Sequence, residues 1–177
     1  QITLAVKSYL EREHFLRKPI DDEIASRWFD TFLAALDPLK IYFLQSDIDN
    51  FAEKKTSLDD LVRRGDVNFA YEVYDRFLER VDERIPIVEA LLKQKLNFNQ
   101  KESIVIDRGT AVWAKTQADV NDKWRRRIKY DLLVQKMEKV GPQEARKKLL
   151  RRYTSFAKRM HQMNADELLE TYLSSLT

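Results

Sequence analysis

The sequence contains no cysteine. This absence excludes a disulfide framework, a thiolate metal site and a cysteine nucleophile. Glycine and proline are also scarce, with 3 and 4 residues respectively, and all-β and doubly wound folds need more turn-forming residues than that. The scarcity favours long helices joined by a few polar loops. No apolar run approaches the roughly 20 residues that a bilayer span needs, so the sequence predicts no membrane span in this segment.

Apolar residues that recur every three or four positions predict a series of helices. A short helix is expected over residues 2–15, with a break at Pro19, and Asp21 or Asp22 is expected to cap the next helix. The longest helix is expected over residues 67–96, and Pro86 predicts a kink or a break within it because it removes a backbone hydrogen bond. Ser46 or Asp47 is expected to cap one short helix, and Ser57 is expected to cap another. Further helices are expected over residues 116–140, 142–163 and 165–176. Gly141 is expected to stop the first of these, Pro142 to be the first residue of the second and Asn164 to cap the third.

The segment between these helices at residues 97–115 is the least regular part of the chain. Its apolar residues are expected to pin it onto the helical body: Ile104, Val105, Ile106, Val112 and Trp113. A two-stranded ribbon here is the only β structure that the pattern allows, and residues 41–44 are expected to form a buried connector. Residues 1–177 are therefore predicted to form a single all-α, irregular helical domain of about 6–8 helices with long central helices. Five aromatic residues are predicted to be buried where helices meet: Trp28, Phe32, Phe77, Trp124 and Tyr153.

Metal sites find no support in the residue pattern. His14 and His161 each lack a second histidine within a turn or two, whereas a zinc-protease helix needs two histidines four residues apart. The acidic stretch that begins at Asp47 resembles the start of a calcium loop, but Ala52 and Leu58 stand where the loop needs glycine and a bidentate glutamate. We therefore assign no metal-ligating residue.

A catalytic site finds no support either. Ser155 and Lys158 match the S-x-x-K spacing of Ser–Lys enzymes, but the companion S-D-N and K-T-G motifs are missing. No glycine-rich phosphate loop is present. We therefore assign no catalytic residue and no cofactor-binding residue, and the chain is expected not to be an enzyme by itself.

Basic residues are concentrated in the second half of the chain. Residues 1–96 carry 15 Lys and Arg against 19 Asp and Glu, whereas residues 97–177 carry 17 against 10. Two antiparallel helices with this composition would present a basic face, which is a candidate contact surface for a domain or partner: Arg125, Arg126, Lys129, Arg151 and Arg152. The same face allows a nucleic-acid-binding alternative, although aromatic residues are not interleaved with the charges as stacking on bases would require.

Several segments, taken in order and spacing, resemble one family, the N-terminal domain of the bacterial tail-specific protease, also called carboxy-terminal processing protease. The segment Ile106-Asp107-Arg108 with Trp113-Ala114 also fits this resemblance. The main matching segments are Leu36-Asp37-Pro38, Tyr42-Phe43-Leu44-Gln45-Ser46-Asp47-Ile48, Trp124-Arg125-Arg126-Arg127-Ile128-Lys129-Tyr130-Asp131-Leu132-Leu133 and Leu149-Leu150-Arg151-Arg152-Tyr153.

This resemblance implies a parent protein that is exported to the periplasm and trims or degrades proteins from their C termini with a Ser–Lys dyad and a PDZ domain. The chain starts at Gln1 without an initiator Met and stops in a helical pattern at Thr177, so we expect a fragment of a longer protein. The dyad is then expected beyond residue 177. The implied partners are the downstream PDZ and protease domains of the same polypeptide, together with protein substrates or an adaptor lipoprotein. A stand-alone helical scaffold is the remaining alternative.

Overall fold

The computed structural model describes residues 21–176. The helix predicted over residues 2–15, the break at Pro19 and His14 lie outside the described residues. Within residues 21–176 the regular structure consists of one 3₁₀ turn, Lys55–Ser57, and seven α-helices: α1 (Asp22–Leu36), α2 (Gln45–Ala52), α3 (Leu58–Arg63), α4 (Asn68–Lys93), α5 (Gln117–Met137), α6 (Pro142–Gln162) and α7 (Ala165–Ser174). The all-α prediction is confirmed.

Two of the predicted helix starts are confirmed by side-chain caps. The Asp21 carboxylate accepts a hydrogen bond from the backbone N–H of Ile24 at 3.0 Å and begins α1. Asn164 and Glu167 form a reciprocal capping box at the start of α7, as the spacing of a capping box predicts. Pro142 is the first residue of α6, also as predicted.

Of the other two predicted caps, Ser57 holds the N-cap position of α3 without a capping hydrogen bond, and the cap predicted at Ser46 or Asp47 is wrong. Ser57 makes no side-chain cap hydrogen bond, because its hydroxyl donates instead to the Lys54 carbonyl at 3.1 Å within the 3₁₀ turn. Helix α2 begins at Gln45, so Ser46 and Asp47 lie inside it. Asp47 is buried and forms an ion pair with Arg76 at 2.8 Å, which is a tertiary contact and not a cap.

The C-terminal end of α5 differs from the prediction that Gly141 stops it. The helix ends at Met137, and Lys139 adopts a left-handed conformation with φ of 60°. The backbone N–H of Val140 then donates to the Gln135 carbonyl at 3.0 Å, which satisfies one of the last carbonyls of the helix. Lys139 therefore makes the turn that ends α5, which was predicted for Gly141.

Helix α4 runs without a break through Pro86, so the break predicted there does not occur. Pro86 and Asp82 are both exposed. The carbonyl of Asp82 is the one that loses its helical donor when proline occupies position 86. Because both residues face water, hydration can replace the missing hydrogen bond while the buried side of the helix continues.

The described chain divides into two compact units, and the first contains residues 21–38, 46–76 and 163–176. Its described core joins α1, α7 and the first turns of α4 through aromatic side chains. Trp28 stacks on Tyr172 with ring centroids 4.3 Å apart, and Phe32 meets the edge of the same ring at 4.9 Å. Phe69 packs against Phe29, with ring centroids 5.8 Å apart. Trp28 and Phe32 are buried as predicted.

The second unit contains residues 39–45 and 77–162. Trp124 lies at its centre, with ring edges toward Tyr42 at 5.4 Å and Tyr153 at 5.3 Å, and its indole N–H donates to the Ile41 carbonyl at 2.8 Å. Phe77, Trp124 and Tyr153 are buried as predicted. Tyr42 and Phe43 are also buried, which confirms the buried connector.

The irregular segment over residues 97–115 belongs to the second unit, and its predicted anchors are partly wrong. Val105, Ile106 and Val112 are 54%, 67% and 68% exposed. Ala111 and Ala114 are the residues that bury instead, because an isolated parallel bridge brings Ala114 against Leu44. No strand forms among residues 21–176, so the ribbon that the pattern allowed is absent from the described part of the chain.

Candidate functional site

Two of the predicted contact residues, Arg125 and Lys129, lie one turn apart on α5 and hold the irregular segment through Glu102. Arg125 Nη1 donates to Glu102 Oε2 at 3.0 Å, and Lys129 Nζ donates to the same oxygen at 2.6 Å. Lys129 Nζ also donates to the Gln100 carbonyl at 2.9 Å, and the residue is only 6% exposed. Both cations therefore act inside the second unit.

The charge on Glu102 is stabilised by this arrangement. The hydrogen bonds from Arg125 and then from Lys129 lower the pKa of Glu102 from 4.5 to about 2. The same ion pairs raise the pKa of Arg125 further above its usual range. Since a carboxylate with a depressed pKa favours the folded state only when it is ionised, the attachment of the irregular segment depends on pH.

We expect Glu102→Gln to lower the free energy of unfolding near neutral pH and to have little effect near pH 2. The contribution of Glu102 is fully present above about pH 4.5 and is lost as the pH falls through about 2, because the folded pKa lies below the unfolded one. Urea denaturation of both proteins at pH 6, 4 and 3 measures this difference. A gap between them that stays constant across this range would contradict the assignment.

Arg126 is the third predicted contact residue and is the more accessible one on α5. Its side chain is 42% exposed and pairs with Asp122 at 2.7 Å, and Nη1 reaches the Ser103 carbonyl at 3.4 Å. The buried Nε has no hydrogen-bond partner within residues 21–176. Because a guanidinium group carries five N–H donors, Arg126 retains donor capacity that the described chain does not use.

Arg152 and Arg151, the two predicted residues on α6, differ in their surroundings. Arg152 forms an ion pair with the buried Asp131 of α5, which also accepts a hydrogen bond from the Tyr153 hydroxyl at 2.5 Å. Burial and then the charge of Asp131 raise the pKa of the Tyr153 hydroxyl. Arg151 is exposed and makes no ion pair with another described residue. Whether any of the five candidate residues contacts a partner stays a prediction.

Sequence reasoning missed the acidic residues that pair with this basic face. Asp122 and Asp131 had a usable signal, since they stand three or four residues from Arg125, Arg126 and Arg127 on one helix, and Arg127 Nε lies 3.4 Å from the Asp131 carboxylate. Glu102 had no such signal. It lies in an irregular segment more than twenty residues before its partners, and only the fold brings the groups together.

A cleft of about 420 Å³ opens beside this charged network, entirely within the second unit. The irregular segment, the connector after α1 and the first turns of α5 form its walls. Its apolar lining includes Ile41, Ile104, Val105, Val112 and Trp113, and its charged lining consists of Lys115, Asp119, Asp122, Lys123, Arg126 and Arg127. We name this feature the loop cleft. It combines exposed apolar side chains with an excess of cations, which suits an apolar ligand that carries negative charge.

Within residues 21–176, no cluster of three or more His, Asp or Glu side chains is arranged to hold a metal ion. His161 lies on α6 with Nε2 2.7 Å from Asp82, which is a surface contact between two exposed side chains. None of the described helices has an apolar stretch long enough to cross a bilayer.

Comparison with known families agrees with the resemblance of the segments quoted above. The family described as tail specific protease N-terminal domain matches residues 6–177. The chain belongs to this family.

A curated relative supports the same family. The tail-specific protease of Haemophilus influenzae is 33% identical over 167 residues, which cover 94% of this chain and 24% of that protein. The chain thus spans about a quarter of the length of this relative.

Proposed function

We propose that the chain is the non-catalytic N-terminal module of a periplasmic tail-specific serine endopeptidase, and that it supports substrate enclosure or docks a partner. The catalytic Ser–Lys dyad and the PDZ domain then belong to other parts of the polypeptide. The observation that carries the proposal is the family match over residues 6–177, together with a tail-specific protease relative about four times as long as the matched part.

The surroundings of Ser155 and Lys158 support a non-catalytic role for this segment. Both residues are exposed on α6. A lysine that activates a serine is typically desolvated in an apolar pocket or placed so that its amine is deprotonated near the hydroxyl. Lys158 faces water, and no hydrogen bond joins it to Ser155 within the described residues. The S-x-x-K spacing is here a feature of a solvated helix face.

We expect the 177-residue chain to fold and to show no proteolysis, and we expect the complete protein that carries it to cleave an unfolded substrate with an apolar C terminus. The Ser155→Ala variant of the complete protein should retain full activity, because Ser155 lies on an exposed helix face. Gel-based cleavage of such a substrate measures both results. Cleavage by the 177-residue chain that Ser155→Ala abolishes would overturn the proposal.

The nucleic-acid-binding alternative receives less support from the geometry. Arg125, Lys129 and Arg152 donate to carboxylates of the chain itself, so a phosphate backbone would have to compete for them. Phosphate binding relies on cations that release counterions when they bind. Cations that are already ion-paired within the chain release fewer counterions when they bind a phosphate. A protein partner that contacts the rest of the basic face therefore fits the charge pattern better.

A further inference from the structure

The apolar side of the loop cleft is formed by an irregular stretch at residues 104–106 whose backbone makes no hydrogen bond to another described residue. Within the described part of the chain, residues 104–106 make no backbone hydrogen bond and belong to no helix or strand. Ile106 and Val105 are more than half exposed. Extended backbone with unused N–H and C=O groups can pair with an added strand, which gives affinity through main-chain hydrogen bonds.

The opposite side of the loop cleft presents positive charge that the chain does not fully neutralise. Asp119 is committed to the cap of α5, where it bonds Thr116, and Asp122 is shared between Arg125 and Arg126. Arg127 pairs with the buried Asp131, with its Nε 3.4 Å from the carboxylate, whereas the Arg126 side chain is 42% exposed and bonds, among the described residues, only Asp122 and the Ser103 carbonyl. The lining therefore holds four cations against two carboxylates that are already engaged, and the exposed part of the Arg126 guanidinium can bind a further carboxylate.

We propose that the loop cleft docks an extended segment of a partner protein in which acidic side chains alternate with apolar ones. Alternate side chains of an extended strand point to opposite faces. One face then places valine-like or isoleucine-like side chains against Val105 and Val112, while the other places carboxylates within reach of Arg126. This inference rests on the docking role proposed above and names the chemistry of the partner.

The form of the cleft favours an extended peptide over a compact ligand or a nucleic acid. The unpaired N–H and C=O groups of residues 104–106 form a row along the backbone. A compact ligand can bond to few of them, whereas a strand presents a matching row of donors and acceptors. The lining of the loop cleft also offers few aromatic rings on which nucleic-acid bases could stack. Trp113 is the one aromatic residue in the lining, and its ring already packs against Phe43 at 5.9 Å.

The probe for the test is an acetylated and amidated octapeptide of alternating valine and aspartate, with a fluorophore on its N-terminal side. Fluorescence anisotropy with the 177-residue chain is expected to show saturable binding. We expect Arg126→Ala to weaken binding by about tenfold or more because it removes a charge-assisted hydrogen bond, and Val112→Asn to weaken it by about tenfold because it removes apolar contact area. Both residues are at least partly exposed, so circular dichroism should show an unchanged fold.

Matched controls lie elsewhere on the surface. Arg159→Ala removes an exposed arginine and Met137→Asn removes an 82% exposed apolar side chain, and neither lines the loop cleft. Both variants should bind the peptide as the unchanged chain does. An equal loss in Arg159→Ala would show non-specific attraction and would overturn the proposal.

Peptide variants test the other parts of the inference. Replacement of aspartate by asparagine should abolish most binding, and a central proline should do the same because it removes a backbone donor. Unchanged affinity in either case would refute the proposed occupant, as would binding that requires a free C-terminal carboxylate. Absence of peptide binding leaves the cleavage test of the proposed function unaffected, so the two failures are distinguishable.

Discussion

Trp28→Ala is expected to lower the free energy of unfolding by about 3–5 kcal/mol, the usual cost when a large buried aromatic residue is truncated. Trp28 is 1% exposed and stacks on the Tyr172 ring. Its indole N–H also donates to the Tyr172 carbonyl at 2.7 Å. The substitution therefore removes ring contacts and one of two hydrogen bonds to the Tyr172 carbonyl, which keeps the Ser175 hydroxyl as a donor at 2.6 Å.

The two contributions can be separated within the first unit. Trp28→Phe keeps a ring but removes the indole N–H, so we expect a loss of about 0.5–1.5 kcal/mol from one hydrogen bond, since the Ser175 hydroxyl still donates to the Tyr172 carbonyl. Tyr172→Phe keeps the stacked ring and removes a buried hydroxyl that has no hydrogen-bond partner within residues 21–176, so this control should not lose stability. Urea denaturation followed by far-ultraviolet circular dichroism measures all three variants. A Trp28→Ala protein as stable as the Tyr172→Phe control would contradict the assigned core.

Asp131→Ala is expected to lower the free energy of unfolding by about 2–4 kcal/mol, since removal of one partner from a buried ion pair leaves the others uncompensated. Asp131 is 5% exposed. Its carboxylate accepts from the Tyr153 hydroxyl and pairs with Arg152 and Arg127. The figure lies below the largest losses for buried pairs, because the Arg152 side chain is 49% exposed and water can solvate it.

A second acidic residue on the same helix provides the control. Asp122 also pairs with two arginines, but its side chain is 40% exposed, so Asp122→Ala should cost only about 0–1 kcal/mol. A double-mutant cycle with Tyr153→Phe tests the network directly, because residues that share a hydrogen bond do not contribute additively. Additive losses for Asp131→Ala and Tyr153→Phe would show that the hydroxyl and the carboxylate are not coupled.

Local signals explain why the helices and several of their ends were predictable. Periodic apolar residues mark the buried face of each helix, and caps such as Asp21 and Asn164 act over three residues. The incorrect predictions involve competition between local and distant partners. Ser and Asp are residue types that often cap helices. Here Asp47 pairs with Arg76 in the first unit, and the Ser57 hydroxyl donates to the Lys54 carbonyl.

The candidate site was less predictable than the helices. The sequence identified the basic character of α5 and α6, and it named Arg125, Arg126, Lys129, Arg151 and Arg152. It did not reveal that Glu102 engages two of them, or that Val105 and Val112 remain exposed beside a cleft. Apolar composition alone predicted that Val105 and Val112 are buried. The irregular segment is instead held where its backbone and side chains make hydrogen bonds and ion pairs.

The sequence by itself determined the helical class, the buried aromatic residues and the family, because periodicity, side-chain size and ordered segments are properties of the chain read in one dimension. Only the tertiary structure decided which cations pair within the second unit and where apolar side chains stay exposed. The physical reason is that ion pairs and clefts depend on distances between residues far apart in sequence. Glu102 meets Lys129 across 27 positions, and no local pattern encodes that approach.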